Sequence, residues 1–398
     1  MSPATRILRS LRLTIGAALL LLGQPAGAQQ LLDFHYTDSL TQTLLEQRRY
    51  RALDSVGRAA RALGAGYPAL SRRLGAGALA AGRPAAALGY YGAAQAANPL
   101  DPAARAGLAL AYQALNQPGP AALLARPLPD SLRRALGLPG PGAVTSVEAE
   151  ASVLLTTEQR RGAASFGRLG VGSRLGGRWA LGQEVSYYRQ AIELPPRLNF
   201  PGEGPNHVSR QWQYHALLTG QLAPRWQVKG GYDFITYDLG HNHLGYLALA
   251  YARPYFVVQA GAYAGTLADS ARLQTDLRLT VYPLGSLRLY AFGRGSVVAS
   301  GGRAYPNGLL GLGGQLRPRL WAEAWASGGQ VPVLAELDGT YVYNLLDPLR
   351  RRAAASLLIL ASRQLVLRLT YGVEQRRLAL TDSDYSLHSL TASLAWTW

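Results

Sequence analysis

Apolar and polar residues alternate with a period of two over long segments in the C-terminal part of the chain. In 271–282, Leu273 and Leu277 lie on one face of the predicted strand, and Arg272 and Arg278 lie on the other. Such segments run for about 10–14 residues, close to the length of a strand that crosses a bilayer at a tilt and longer than most soluble strands. We therefore predict an antiparallel transmembrane β-barrel over 144–398. The same alternation occurs in 226–237, 364–374 and 389–398.

Aromatic residues gather at the ends of these segments. Membrane barrels carry aromatic girdles at the two membrane–water interfaces, so this placement favours a membrane barrel over a soluble sandwich. The girdle candidates are Trp179, Tyr187, Trp212, Trp226, Tyr237, Tyr282, Trp396 and Trp398.

Short and long connections alternate along the predicted barrel. Bacterial barrels place short turns on the periplasmic side and long loops outside. A first strand that runs outward and a last strand that returns give about 14 strands, within a range of 12 to 16. The short turns are 175–178, 222–225, 252–254, 283–286, 317–319 and 362–364. The long connections are 191–208, 238–243, 267–270, 299–306, 328–350 and 377–385.

The last segment ends on an aromatic residue that is also the last residue of the chain. Leu394, Trp396 and Trp398 lie on one face of it. This ending resembles the C-terminal signal of bacterial outer-membrane barrels. The resemblance implies insertion by the barrel-assembly machinery, with outer-membrane lipid around the barrel.

The N-terminus has the layout of a cleaved secretory signal. Arg6, Arg9 and Arg12 precede an apolar run over 13–22, and Ala26-Gly27-Ala28 supplies small residues at a cleavage site. We predict a signal peptide over 1–28. Later segments lack a run of about 18 apolar residues, so no transmembrane helix is predicted. The expected location is the outer membrane of a Gram-negative bacterium, with the mature N-terminal segment in the periplasm.

The segment 29–140 has helical periodicity and an internal repeat. A unit that starts at Leu74-Gly75 recurs at Leu108 and, in the opposite direction, at Leu40, with the same spacing each time. It resembles the tetratricopeptide repeat over two to two and a half units, with small residues where two helices approach and an aromatic residue between them. The resemblance implies either a surface that docks a periplasmic protein or an Ala-rich spacer. The repeat-packing candidates are Leu74, Gly75, Ala87, Tyr91, Ala94, Pro99, Leu108 and Tyr112.

Composition excludes several kinds of chemistry. The chain contains no cysteine, so disulfides, thiolate catalysis and cysteine metal sites are absent. The formal net charge of +17 comes almost wholly from arginine, because Lys229 is the only lysine. A basic total is also typical of nucleic-acid binding, but the export signal argues against a nucleic-acid partner.

Two histidine groups are candidates for a reactive or metal site. Barrel acyl hydrolases place a His-x-Ser pair on the lipid face, whereas His207 and Ser209 fall on the inward parity of their strand. His241 and His243 lie in a predicted outer loop, where solvated loop histidines are the simpler interpretation of a metal-like spacing. We expect no catalytic residue, no metal and no cofactor, and hence no enzyme.

The inward face of the barrel is the remaining candidate site. A basic lumen favours an anionic solute such as an acidic glycan. The alternative is an interior of Arg–carboxylate pairs that closes a narrow barrel. The predicted lumen-facing residues are Arg178, Glu184, Lys229, Asp233, Arg272, Asp276, Arg278, Arg288, Arg294, Arg368 and Glu374.

The order of signal peptide, helical repeats and barrel resembles the YaiO-like outer-membrane family, and more distantly the exopolysaccharide-export porins. This resemblance implies an α+β chain in two parts, with tetratricopeptide-like repeats before the barrel. It also implies a non-enzymatic protein in surface glycan or exopolysaccharide assembly or export. Two alternatives stay open: a closed structural or adhesive barrel that acts through the loops 191–208 and 328–350, and a lipid-modifying enzyme.

Overall fold

The computed structural model describes residues 33–138, 140–193, 206–237, 240–267, 270–343, 347–378 and 383–398. The predicted signal peptide lies outside this range, as does most of the connection 191–208. The chain divides into two compact units, one ending at Ala111 and one running from Tyr112 to Trp398. None of the described helices is long and apolar enough to cross a membrane.

The first unit is a series of helices that recur at a constant spacing. Its helices are α1 Phe34–Glu46, α2 Tyr50–Ala62, α3 Pro68–Ala80, α4 Pro84–Ala97 and most of α5 Pro102–Ala114. The first helix of each pair begins at residue 34, 68 and 102, and the second begins at 50, 84 and 118. Proline opens α3, α4, α5 and the helix that begins at residue 118, since its fixed φ suits the first helical position and its missing N–H costs nothing there.

Tyr91 is the central packing residue of this unit. Its ring is 8% exposed and lies between two glycines. A Cβ built at Gly75 would come within 2.8 Å of the ring, and one at Gly107 within 2.3 Å. The repeat therefore needs small residues at these positions, because the aromatic ring fills the space between neighbouring helices.

An ion pair joins α1 to α3. Arg73 Nη2 donates to Asp38 Oδ2 at 3.1 Å. This hydrogen bond from the Arg73 guanidinium lowers the pKa of the Asp38 carboxyl below its usual 3.8. The pair stabilises the unit only while Asp38 is ionised.

The second unit contains a closed barrel of 14 antiparallel strands, which confirms the predicted fold class and strand number. Each barrel strand pairs with the next barrel strand along the chain, and the first pairs with the last to close the barrel. The barrel strands are β1 Gly142–Thr156, β2 Arg161–Leu175, β3 Trp179–Glu193, β4 Asn206–Ala223, β5 Trp226–Tyr237, β6 Gly240–Ala252, β7 Phe256–Leu267, β8 Ser270–Val281, β9 Leu289–Ser300, β10 Arg303–Arg317, β11 Leu320–Val331, β14 Leu349–Leu360, β15 Leu365–Arg377 and β16 Asp384–Thr397. Two further strands, β12 Leu334–Glu336 and β13 Tyr341–Tyr343, form a separate hairpin.

The outer face of the barrel is apolar and ends in aromatic residues. Trp179 and Trp226 are exposed at the short-turn end, and the Trp226 and Tyr251 rings lie 4.8 Å apart. Tyr187 and Trp212 form a second pair with ring centroids 4.6 Å apart. Trp179 and Tyr187 lie on the same strand, about 26 Å apart along it, which is close to the height of a membrane-facing belt. This is the architecture of outer-membrane barrels.

The last two helices belong to the barrel unit and lie at its short-turn end. They are α6 Pro118–Ala125 and α7 Asp130–Ala135. A Cβ at Gly119 would come within 2.1 Å of Gln221 Oε1 on β4, and one at Gly177 would come within 2.7 Å of Arg126. Helical segments thus contact the end of the barrel that carries the short turns.

Two of the predicted long loops are shorter than expected. The predicted connections 238–243 and 299–306 are largely strand, because β5 pairs with β6 up to Tyr237–Gly240 and β9 pairs with β10 up to Ser300–Arg303. His241 and His243 consequently lie on the exposed face of β6, where Tyr232 Oη is 2.7 Å from His243 Nδ1. Strand pairing continues beyond the apolar belt, where alternation no longer marks it.

A candidate functional site: a hairpin inside the barrel

The connection 328–350 was predicted to project outward, but its residues 333–343 fold into the lumen as the β12–β13 hairpin. Irregular backbone at membrane depth is stable only where protein or a water-filled cavity surrounds it, and the barrel interior provides that environment. We call residues 333–343 the lumen hairpin. Its strands pair from Leu334–Tyr343 to Glu336–Tyr341.

The tip of the lumen hairpin is a turn of three residues with positive φ. Leu337, Asp338 and Gly339 have φ of 50°, 64° and 105°. Non-glycine residues seldom adopt this region, and aspartate is among those that tolerate it. A Cβ on Gly339 would lie 2.7 Å from His215 Cε1 and 2.8 Å from Asp233 Oδ2, so only glycine fits this close approach.

Asp338 is bound by side chains from four barrel strands. Lys229 Nζ donates to Asp338 Oδ2 at 2.6 Å, and the Arg278 guanidinium lies 3.6 Å from Oδ1. Tyr246 Oη and Gln259 Nε2 each donate to Oδ1 at 2.7 Å. The carboxylate thus neutralises two cations of the wall and receives three hydrogen bonds, the condition under which a buried charge is stable.

Glu336 makes a second buried anchor. Arg352 Nη2 donates to Glu336 Oε2 at 2.6 Å, and Arg294 Nη2 donates to Oε1. These arginines come from β14 and β9, on opposite sides of β10 and β11 in the barrel order. Arg352 also lies over the rings of Trp325 and Tyr343, at 4.5 Å and 4.9 Å from their centroids. One carboxylate therefore joins the hairpin to both flanks of this wall.

Asp347 ties the connection to the end of the barrel opposite the short turns. Arg161 donates to its carboxylate through Nε at 2.7 Å and Nη2 at 3.0 Å, and Tyr385 Oη donates at 2.9 Å. Arg376 Nη1 donates to the Asp347 carbonyl oxygen at 3.0 Å. Such a bidentate, buried arginine pair fixes the geometry more firmly than a single contact.

The wall also hydrogen-bonds the hairpin backbone. The Gln274 amide donates to the Ala335 carbonyl at 2.7 Å and accepts from the Ala335 N–H at 3.0 Å. Gln213 donates to the Gly339 carbonyl at 2.9 Å. These bonds satisfy backbone groups that the short hairpin leaves unpaired.

One side of the hairpin is packed in an apolar core inside the lumen. Val333, Ala335 and Val342 contact inward-facing residues of β5, β6 and β7, among them Ile235 and Leu244, which are almost fully buried. The Tyr246 and Tyr263 rings stack at 4.4 Å in the same cluster. Apolar burial and ion pairing thus act together to hold the hairpin against this wall.

The other side of the hairpin faces a cavity. This side cavity has a volume of about 150 Å³ and lies between β13 and the wall made by β1–β4, β15 and β16. Hydroxyl, amide and aromatic side chains line most of it. The hairpin is therefore packed against one wall of the described lumen and borders this small cavity on its other side.

A buried histidine–aspartate pair lies beneath the tip. His215 Nδ1 and Asp233 Oδ1 are 2.8 Å apart, and Gln213 donates to the same oxygen at 2.8 Å. The two residues are 2% and 0% exposed. Because they lie directly against Gly339, they form part of the wall surface on which the hairpin tip packs.

Most of the predicted lumen-facing residues lie inside the barrel. Lys229, Arg278 and Arg294 bind the hairpin carboxylates as described. The other interior contacts are within the wall: Glu184 with Arg168 at 3.0 Å, Asp276 with Gln274 at 2.9 Å, Glu374 with Arg376 at 2.7 Å, Asp233 with His215, and Arg272 with Ser300. Arg368 lies on the same face of β15 as Glu374.

Two arginines that were predicted to face the lumen lie in turns instead. Arg178 and Arg288 are exposed in the turns before β3 and β9. Both have the inward parity of the strand that follows, but that strand begins one residue later. His207 and Ser209 do lie on the face of β4 that carries His215, which is the lumen side.

Several interior residues were not predicted from the sequence. Arg161, Arg168 and Arg352 lie in strands rich in Gly or Ala, where the alternation is weak. Glu336, Asp338 and Asp347 were assigned to an outer loop. A usable signal was present in the connection 328–350, where three acidic residues lie within a mostly apolar and aromatic segment.

The structure also describes the predicted repeat-packing residues and the predicted C-terminal signal. In the helices, Leu74, Gly75, Ala87, Ala94 and Leu108 are buried, Tyr112 is half-buried, and Pro99 is exposed in the turn after α4. At the C-terminus, Leu394, Trp396 and Trp398 are exposed on the outer face, and the Trp398 N–H donates to the Thr145 carbonyl at 3.1 Å.

Solved structures with related architecture are bacterial barrels. The chain is similar to the toluene transporter TodX of P. putida, with 10% identity and a TM-score of 0.44 over 72% of this chain and 98% of that one. It is also similar to a bacterial polysaccharide outer membrane secretin, with 10% identity and a TM-score of 0.41 over 65% and 99% of the two chains. For the NanC porin the identity is 10% and the TM-score 0.36, over 63% and 100%. No protein-family profile and no curated protein sequence matches the chain. The fold described above rests on the strand pairing of this chain itself.

Proposed function

We propose that this protein is a gated, non-enzymatic outer-membrane channel for a saccharide, closed in its resting state by the lumen hairpin. The observation that carries the proposal is the charge arrangement between hairpin and wall. Lys229, Arg278, Arg294, Arg352 and Arg161 belong to the barrel, and Asp338, Glu336 and Asp347 belong to one connection. A single connection thus supplies the anions for a basic wall.

Release of the hairpin would change both the width and the charge of the lumen. The four wall cations that bind the hairpin carboxylates, Lys229, Arg278, Arg294 and Arg352, would then face an open interior, which favours anionic solutes. A carboxylate-bearing glycan can occupy the positions that the hairpin carboxylates hold in the closed state. This exchange supports the proposed role in assembly or export of an acidic surface glycan.

We further propose that the helical repeats dock a periplasmic protein. The helices recur at the constant spacing typical of tetratricopeptide arrays, and such stacks commonly present a binding surface. The helices of the second unit lie at the short-turn end of the barrel, the end that faces the periplasm in bacterial barrels. Photo-crosslinking from exposed α1 and α3 positions in intact cells tests this; a specific adduct is expected, and its absence from every position would refute docking.

Transport through reconstituted protein tests the channel. Residues 333–343 are replaced by a short Gly-Ser linker, and vesicles containing either the full chain or this variant are assayed with acidic and neutral oligosaccharides of equal length. We expect slow flux through the full chain and fast flux through the variant, with the acidic sugar favoured. Barrel folding is checked by heat-modifiable gel migration. If the folded variant passes neither sugar, the barrel is a closed structural protein and the proposal fails.

A further inference from the structure

The side cavity is placed where a solute in the lumen would meet the hairpin. It lies between β13 and the wall of β1–β4, β15 and β16, with a volume of about 150 Å³. That space exceeds what one water molecule needs and admits a small polar solute. The cavity therefore has the size and the position of a binding site.

Three polar side chains of the wall open into the cavity with no protein partner. Ser186, Gln211 and Ser389 line it, and within the described part of the chain their side chains make no hydrogen bond to another residue. Ser186 and Gln211 are 6% and 9% exposed. Nearly buried polar groups normally have partners, so a ligand or water must satisfy them. Between them they offer both donors and acceptors, which matches a ligand with hydroxyl groups.

The charged groups around the cavity are already paired. Glu150 accepts from Tyr341 Oη at 2.7 Å and from Arg168 at 3.3 Å, and Glu374 accepts from Arg376 Nε at 2.8 Å. An anionic ligand would meet the Glu150 and Glu374 carboxylates here, and a cationic ligand would meet the Arg376 guanidinium and two carboxylates that are already bound to arginine. The arrangement favours a neutral ligand over either charged form.

Aromatic faces complete the lining. The Phe166 and Tyr341 rings lie 5.9 Å apart at an interplanar angle of 37°, so one wall ring and one hairpin ring meet at an angle at the cavity. Apolar ring faces with a few hydrogen-bonding groups are the usual composition of small-molecule sites. A sugar ring presents C–H faces and hydroxyl edges, which fits both kinds of lining.

We infer that the side cavity binds one neutral sugar unit of the saccharide that the channel carries. The inference rests on the proposed channel function, since the lumen must admit saccharide. It assigns recognition of a neutral unit to the side cavity, whereas the wall cations bound to the hairpin would meet acidic groups only after the hairpin leaves.

Saturation-transfer NMR on the full chain in detergent tests the site with a matched set of probes. Glucose, galactose and N-acetylglucosamine are the neutral sugars, and glucuronate and glucosamine are the anionic and cationic analogues of glucose. We expect saturable binding of at least one neutral sugar, and weaker binding of both charged analogues than of glucose.

Variants locate the binding. Gln211→Ala and Ser389→Ala should each raise the dissociation constant of the sugar several-fold to about tenfold, as expected for loss of one hydrogen bond. Gln315→Ala is the matched control, because Gln315 lies on β10, across the barrel from this wall. Both test variants remove a side chain without adding bulk, and heat-modifiable migration confirms the barrel.

Three results would overturn the inference: no neutral sugar binds, a charged analogue binds more tightly than glucose, or both test variants bind like the Gln315→Ala control. None of these results depends on flux. Loss of sugar binding in a channel that still opens refutes the side cavity alone, whereas a folded hairpin-replaced variant that passes no sugar refutes the channel.

Discussion

Asp338→Asn separates the charge of the hairpin tip from its shape. Asparagine has the same size and also tolerates the positive φ of this position, so the turn can keep its conformation. Its amide Oδ1 can still accept from Tyr246 and Gln259, but its NH₂ group cannot accept from Lys229. The substitution therefore leaves Lys229 and Arg278 without their carboxylate in the closed state.

The expected effect is large. Removal of one partner from a buried ion pair costs about 3–5 kcal/mol. The Lys229 and Arg278 side chains are 16% and 24% exposed, so water recovers part of this cost, and we take the lower end of the range. Since about 1.4 kcal/mol corresponds to a tenfold change, the ratio of open to closed channels should rise about 100-fold.

Single-channel recording of the purified full chain in a planar bilayer measures this ratio as the fraction of time open at a fixed voltage. Glu323→Gln is the matched control, because Glu323 is an interior carboxylate that accepts from Tyr290 Oη on the wall at 2.8 Å. Equal open fractions in the two variants would refute the claim that Asp338 holds the channel closed.

Three further predictions concern the hairpin tip and the helical unit. Gly339→Ala places a methyl group within 2.7 Å of His215 at a φ of 105°, so the open fraction should increase, whereas Gly308→Ala, where a Cβ meets nothing within 4 Å, should leave recordings unchanged. Tyr91→Ala empties the space between helices and should destabilise the helical unit by about 3–5 kcal/mol in thermal circular dichroism without altering barrel migration on gels; an unchanged melting curve would contradict the packing account. Because folding lowers the pKa of Asp38, its pair with Arg73 contributes fully to the free energy of unfolding above pH 3.8, and this contribution is lost as the pH falls below that value. Asp38→Asn should remove this acid sensitivity, which is worth about 0.5–1 kcal/mol in urea unfolding. Identical pH profiles for the variant and the unchanged chain would contradict this prediction.

The barrel was predictable because its signals are local. Strand pairing in sequence order and a membrane outside impose alternation on each strand, so residues such as Leu273 and Arg272 show their faces directly. The constant spacing of the helices was visible for a similar reason, since each repeat packs against its neighbour.

The inserted hairpin was not predictable in this way. Its place depends on contacts with strands far away in sequence, such as Lys229 with Asp338 and Arg161 with Asp347. A long connection with acidic residues looks the same from its sequence whether it enters solvent or the lumen. The predicted loop lengths were too long for another reason. Beyond the membrane belt, strands such as β6 continue to pair but no longer have an apolar outer face that would reveal them in the sequence.

The central claim is that the lumen hairpin must leave the wall for the channel to open. Because the chain has no cysteine, a pair introduced at Gln274 and Ala335, whose side chain and backbone are in contact, can be joined by a short thiol cross-linker without other reactions. Single-channel recording before and after cross-linking, with Gln274→Cys alone as control, tests the claim most directly. We predict that cross-linking abolishes openings of the double variant and leaves the single variant unaffected. Openings of undiminished size and frequency in the cross-linked double variant would contradict the claim.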